Sequence, residues 1–128
     1  MRQVTEVASH AREEVVAITP QTEGAVRECG IDNGLVSLYV QGAHNWDDSV
    51  PRDVVRLLPE GIPRGVWEHD AQDGNGDSHL KAGLVGPSES IPLIDGRLGL
   101  STWQGLFLCE FDGPRARRSL VVTVLAGD

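Results

Sequence analysis

Polar and apolar residues alternate through Gln3-Val4-Thr5-Glu6-Val7, the two-residue period of a half-buried strand, and Val15-Val16-Ala17-Ile18 is a short β-branched run. These segments predict two strands joined around His10 to Glu14. Thr19-Pro20 places a capping hydroxyl before a proline at the first helical position, predicting a short helix that reaches Cys29 and stops at Gly30. After the Asp32-Asn33-Gly34 turn, the β-branched and aromatic content of Leu35-Val36-Ser37-Leu38-Tyr39-Val40 predicts a central strand. Ser49 caps a second predicted helix, with Pro51 in its first turn and Val54, Val55, Leu57 and Leu58 on its buried side.

Further along, Asp77 or Ser78 is placed to cap a third helix through Leu80, Leu84 and Val85, stopped by Gly86-Pro87. Ile91 to Ile94 and Leu98 to Leu100 flank Asp95-Gly96, a strong hairpin signal. Trp103 to Phe111 and Ser119 to Ala126 read as longer strands joined across Asp112-Gly113-Pro114-Arg115, predicting a second hairpin. Together these elements predict one α+β domain over residues 1–128, mainly antiparallel, with a few short helices over or beside the sheet.

A formal net charge of −8 argues against a nucleic-acid or anionic-membrane surface, since phosphate backbones reward a basic face that this chain lacks. No apolar run approaches the length needed to span a bilayer, and Met1-Arg2-Gln3-Val4-Thr5-Glu6 has no signal-peptide core, so the expected location is the cytoplasm. Cys29 and Cys109 are too few and too far apart for a disulfide scaffold and read as small hydrophobes.

The candidate chemistry lies between Trp67 and Lys81. There His69, His79, Glu68, Asp70, Asp73, Asp77 and Lys81 surround a Gly74-Asn75-Gly76 bend, a concentration of titratable groups that fold stability does not require. The histidines are ten positions apart, too far for one helix face, but a loop folding back over Gly74 and Gly76 brings them together. Two imidazoles with Asp70, Asp73 or Asp77 suit Zn²⁺ or a similar ion, and the carboxylates alone suit Mg²⁺. An EF-hand is excluded, because Ser78 stands where its glycine belongs and Leu84 where its bidentate glutamate belongs. The same bend runs into a helix start, where backbone N–H groups favour a phosphate and Lys81 adds a point charge. The competing reading is an ordinary surface turn with an Asp77–Lys81 pair. His10 reads as a solvated turn residue, and Trp46, Trp67 and Trp103 as core or interface residues. Arg115, Arg117 and Arg118 read as a solvated hairpin tip that also offers arginines for a phosphate.

From Trp67 onward the chain resembles the YjbQ-like family, also labelled secondary thiamine-phosphate synthases. The carriers are His69-Asp70, then Asp73-Gly74-Asn75-Gly76-Asp77-Ser78-His79-Leu80-Lys81-Ala82, Ser88 through Asp95-Gly96-Arg97, Ser101-Thr102-Trp103-Gln104-Gly105, and Cys109-Glu110-Phe111-Asp112-Gly113-Pro114-Arg115. Ser101 replaces a glycine common in the family, and Val15 to Val40 fits its usual opening. The resemblance implies a mainly antiparallel, β-sandwich-like α+β subunit assembled as a homotrimer. It also implies a weak thiamine-phosphate-forming activity, joining a pyrimidine pyrophosphate to a thiazole phosphate with loss of pyrophosphate. In this reading His69, His79 and Asp70 are catalytic, while His69, His79, Asp73 and Asp77 hold a divalent metal. Gly74, Asn75, Gly76, Lys81, Trp103, Gln104 and Arg115 bind the phosphorylated metabolite. One stretch departs from the family: Gly42-Ala43-His44 runs directly into Asn45, where members carry a further strand and an acid. Either this is a real deletion or the sequence omits residues, and the cost of an unpaired strand edge favours omission.

Overall fold

The computed structural model describes residues 1–41, 61–102 and 104–127. Two compact units are resolved, one of Met1–Gln41 with Ser88–Asp128 and the other of Gly42–Pro87. The helix expected from Ser49, the His44–Asn45 link, Trp46 and Trp103 lie outside the described residues.

The first unit holds β1 (Arg2–Ser9), β2 (Glu14–Ala17), α1 (Thr19–Cys29), β3 (Gly34–Val40), β4 (Ser88–Ile94), β5 (Arg97–Leu98), β6 (Phe107–Glu110) and β7 (Arg115–Ala126). They form a five-stranded sheet in the order β1-β7-β3-β4-β5 and a two-stranded sheet of β2 and β6, with every pair antiparallel. The expected mainly antiparallel α+β architecture is observed, with β3 at the centre of the larger sheet. Alternation decides which side chains enter the core: Val36 and Leu38 of β3, Leu120, Val122 and Val124 of β7, and Ile91 and Leu93 of β4 all point inward. Val26 and Ala25 of α1 close the same core with Ile18, Leu106 and Leu108. Each fully buried aliphatic side chain there stabilises the unit by about 1.5–3 kcal/mol relative to exposure. On the opposite face of the large sheet the register sets Val4 and Tyr39 on either side of Val121, and Leu35 opposite Leu125. Val4, Tyr39, Leu35 and Leu125 are all exposed.

Three local expectations change. Thr19 is not the cap of α1: the N-cap is Ile18, and the Thr19 hydroxyl instead accepts the Leu106 N–H at 2.9 Å, tying the helix to the segment before β6. The helix still ends where expected, on Gly30 in the left-handed conformation at φ +67°. The long strand expected from Trp103 contracts to β6, because Ser101 and Gln104 make a turn: the Ser101 N–H donates to Gln104 Oε1 at 2.9 Å and the Gln104 N–H to the Ser101 carbonyl at 3.1 Å. Finally, β6 and β7 do not form a hairpin. A strand has two edges, and those of β7 are taken by β1 and β3, so β6 pairs with β2. The Asp95-Gly96 hairpin forms as expected, with both residues at positive φ (49° and 74°), the geometry of a type I′ turn.

In the second unit the described residues form a 3-10 turn at Glu68–Ala71 and α2 (Gly76–Val85), ended by Gly86. Trp67 and Leu80 pack together with Ile62 alongside, and the Trp67 indole N–H donates to the Pro63 carbonyl at 2.6 Å. No helix among the described residues is long and apolar enough to cross a membrane.

Candidate functional site

His69 sits in the 3-10 turn and is buried, and His79 lies in the first turn and a half of α2. Their rings meet edge to face, with centroids 4.6 Å apart and planes at 87°. The return that joins them depends on glycine twice. Gly74 has φ +67°, which other residues adopt only under strain. At Gly76 a Cβ would lie 2.8 Å from Trp67 Cβ and 3.2 Å from Asp70 Oδ1, so the backbone approaches too closely for any side chain.

The acids of this segment divide into distinct tasks. Both oxygens of Asp70 accept backbone N–H groups, Oδ1 from Gly76 at 2.7 Å and Oδ2 from Trp67 at 2.9 Å. Asp73 is 67% exposed and places Oδ2 3.8 Å from His69 Nε2. Asp77 is fully buried and accepts from Lys81 Nζ at 3.2 Å. Neither Asp77 nor Ser78 is the cap of α2. The N-cap is Asn75, whose carbonyl accepts the Ser78 and His79 N–H groups, and Asp77 and Ser78 are buried within the first turn.

This arrangement changes the chemistry expected of the bend. The N–H of Gly76, a donor the phosphate reading relies on, is held by Asp70, and Lys81 is paired with Asp77. A phosphate at this helix end would therefore compete with the chain's own carboxylates. Of the four metal-ligand candidates, His69 lies beside both His79 and Asp73. Among the described residues, however, no group of three or more His, Cys, Asp or Glu is arranged to hold a metal ion.

Gln104 and Arg115 belong to the first unit. Gln104 completes the turn with Ser101 described above. Arg115 starts β7 instead of standing at a hairpin tip, and its Nη2 lies 3.3 Å from Asp112 Oδ2. His10 is exposed, as expected, and lies beside Glu14. Both cysteines are free and half-buried, with Cys29 packed against the core.

The first unit also contains an ionic network around a buried carboxylate, in which Arg118 is not part of a solvated tip but is 21% exposed and held by Glu110. Glu110, 3% exposed, accepts Ser9 Oγ at 2.6 Å and Arg118 Nε at 2.9 Å on Oε1, and Arg118 Nη2 at 2.7 Å and the Asp112 N–H at 3.0 Å on Oε2. Burial pushes the Glu110 carboxyl up. The Arg118 fork, the Ser9 hydroxyl and the Asp112 N–H outweigh burial and hold it at about 2. Ser9 arrives through a one-residue slip in the β1–β7 register between Val7 and Ser9, and it also accepts the Arg115 N–H at 2.9 Å. Gly113 is obligatory beside the network, since a Cβ there would lie 2.0 Å from the Ala11 carbonyl oxygen. The available sequence signal was Glu110 itself, a lone acid on the inward phase of Phe107-Leu108-Cys109-Glu110, three residues before a Gly-Pro turn.

Comparison with known proteins bears on both regions. The family model described as UPF0047 protein YjbQ-like matches residues 3–127. The UPF0047 protein of Methanocaldococcus jannaschii is 38% identical, the match covering 91% of this chain and 88% of the relative. YugU of Bacillus subtilis is 35% identical, covering 91% and 94%. Among solved structures, a YbjQ-like protein of unknown function from Sulfolobus solfataricus superposes with a TM-score of 0.82 at 29% identity, covering 99% of this chain and 97% of that one. A hypothetical protein from Aeropyrum pernix gives the same TM-score at 30% identity, covering 99% of each.

Proposed function

The chain belongs to the YjbQ-like UPF0047 family, and on that premise we propose that its His69–His79 pair is an acid–base centre acting on a small phosphorylated heterocycle. The observation carrying this reading is the edge-to-face contact of two imidazoles at 4.6 Å, built by two glycine-dependent features and flanked by Asp73. Imidazoles are the side chains best matched to moving protons near neutral pH. In the reaction the resemblance implies, a C–N bond forms between a pyrimidine methylene and a thiazole nitrogen while the C–O bond to pyrophosphate breaks. The departing pyrophosphate takes the bonding electrons, and an imidazolium donating a proton to it lowers the barrier. A divalent ion would neutralise the same charge, but with no three-residue donor group among the described residues the reading rests on the imidazoles themselves.

The test is incubation of the purified protein with the pyrimidine pyrophosphate and the thiazole phosphate, with and without added Mg²⁺ or Zn²⁺, reading thiamine phosphate formed. Wild type yields product, and His69→Gln or His79→Gln lowers the rate by about a hundredfold or more with the fold intact. Tight binding of either compound without turnover would make the protein a non-catalytic binding module. Product formation unaffected by both substitutions overturns the assignment. The exposed row of Val4, Leu35, Tyr39 and Leu125 fits the homotrimer the resemblance implies. Light scattering should give three times the chain mass, and a stable monomer rejects this assembly.

A further inference from the structure

We propose that Asp70 is the positioning residue of the histidine pair, a built-in anion at the N-terminus of α2 that locks the turn carrying His69 against the helix carrying His79; this rests on the reading of that pair as the site. The carboxylate bridges two backbone donors nine residues apart, one on each side of the bend. Oδ2 accepts Trp67 N–H, at the start of the 3-10 turn, and Oδ1 accepts Gly76 N–H, the first residue of α2. His69 precedes Asp70 directly, and His79 lies three residues after Gly76, so each imidazole is one short step from an end of this bridge. The junction is close-fitting, because Gly76 approaches Trp67 Cβ so nearly that a methyl group would not fit. A helix N-terminus carries partial positive charge and unsatisfied N–H groups, and a carboxylate satisfies both. Asp70 thus fills the place that an external phosphate would take. Its consequence for the site is geometric: removing the bridge frees the two ring-bearing segments from one another.

The test is solution NMR of the full-length protein, reading the cross-peak between the His69 and His79 ring protons and the displacement of their signals by the edge-to-face contact. Asp70→Ala should abolish the cross-peak and return both ring signals toward those of an isolated histidine. Sodium formate, the small carboxylate probe, should restore them in that variant, while sodium chloride at equal concentration should not. Asp70→Asn keeps one acceptor oxygen but turns an NH₂ toward the other donor, so it should show a weakened cross-peak, and it carries the test if Asp70→Ala does not fold. Unchanged ring signals in either folded variant overturn the proposal, and failure of formate to restore a folded Asp70→Ala overturns the built-in anion. Because the readout is ring geometry, lack of turnover by wild type would reject the functional reading and leave this result standing. Unchanged rings would do the reverse.

Discussion

Glu110 and His69 are buried to nearly the same degree, at 3% and 5% exposure, yet their surroundings differ in kind. Around Glu110 every charge has a counterpart: a bidentate guanidinium, a hydroxyl and a backbone N–H converge on one carboxylate. Such a group is fixed in one ionised state and stabilises the fold. Around His69 stand a second imidazole, edge to face, and a largely exposed carboxylate 3.8 Å from Nε2. Burial of a titratable side chain therefore does not by itself mark a reactive site. The chemistry of the neighbours, an ionic network in one case and a second imidazole in the other, separates the two regions, and the four predictions that follow probe this difference.

The largest effect is expected from Glu110→Ala, which leaves the partly buried Arg118 guanidinium without its carboxylate and should cost about 3 kcal/mol in urea unfolding, the low end for breaking a buried pair. A loss below about 1 kcal/mol would erase the contrast, since the network would then contribute no more than a surface ion pair. The pH dependence comes next. The folded Glu110 carboxyl is held at about 2, below its usual 4.5, so its stabilisation is complete above pH 4.5 and is lost as the pH falls toward about 2. Acid titration of stability across that window should lose roughly 3 kcal/mol in wild type. Glu110→Gln should be correspondingly flatter there, and equal slopes would contradict the assignment.

Gly113→Ala follows. Its Cβ would collide with the Ala11 carbonyl oxygen, backbone that cannot swing aside, and overpacking of that kind costs about 1–3 kcal/mol. Thr19→Ala should be the mildest, at about 1 kcal/mol for the lost bond to the Leu106 N–H, read as a lower melting temperature with the fold unchanged. A cost for Thr19→Ala equal to that of Glu110→Ala would show that single side-chain tethers, and not the ionic network, govern the first unit.

Much of the fold was legible because local chemistry and tertiary context agree. Leu35 to Val40 has strand composition and becomes the central strand, Asp95-Gly96 supplies the two positive φ values of its turn, and Gly30 ends α1. The errors arose where a distant partner outbid a local one. Thr19 has the chemistry of a cap but bonds Leu106, 87 residues away. The turn before β7 has hairpin composition, yet β7 finds its partners in β1 and β3. Within the candidate site, the convergence of His69 and His79 was readable from Gly74 and Gly76, since glycine permits the return. The division of labour among Asp70, Asp73 and Asp77 was not, because three identical side chains in one loop differ only in which donors the folded backbone aims at them. The Glu110 network was hidden for a related reason: its members Ser9, Glu110 and Arg118 are brought together by strand register, a property absent from any short motif.

On the function proposed above, ligand chemistry belongs to the His69–His79 region and stability to the Glu110–Arg118 region. The most direct measurement is an NMR titration of the wild-type protein with the pyrimidine pyrophosphate, following the imidazole signals of His69 and His79 together with the Arg118 guanidinium Nε–H signal. The account predicts saturable movement of both imidazole signals with the Arg118 signal unmoved. Movement of the Arg118 signal with silent histidines would contradict it.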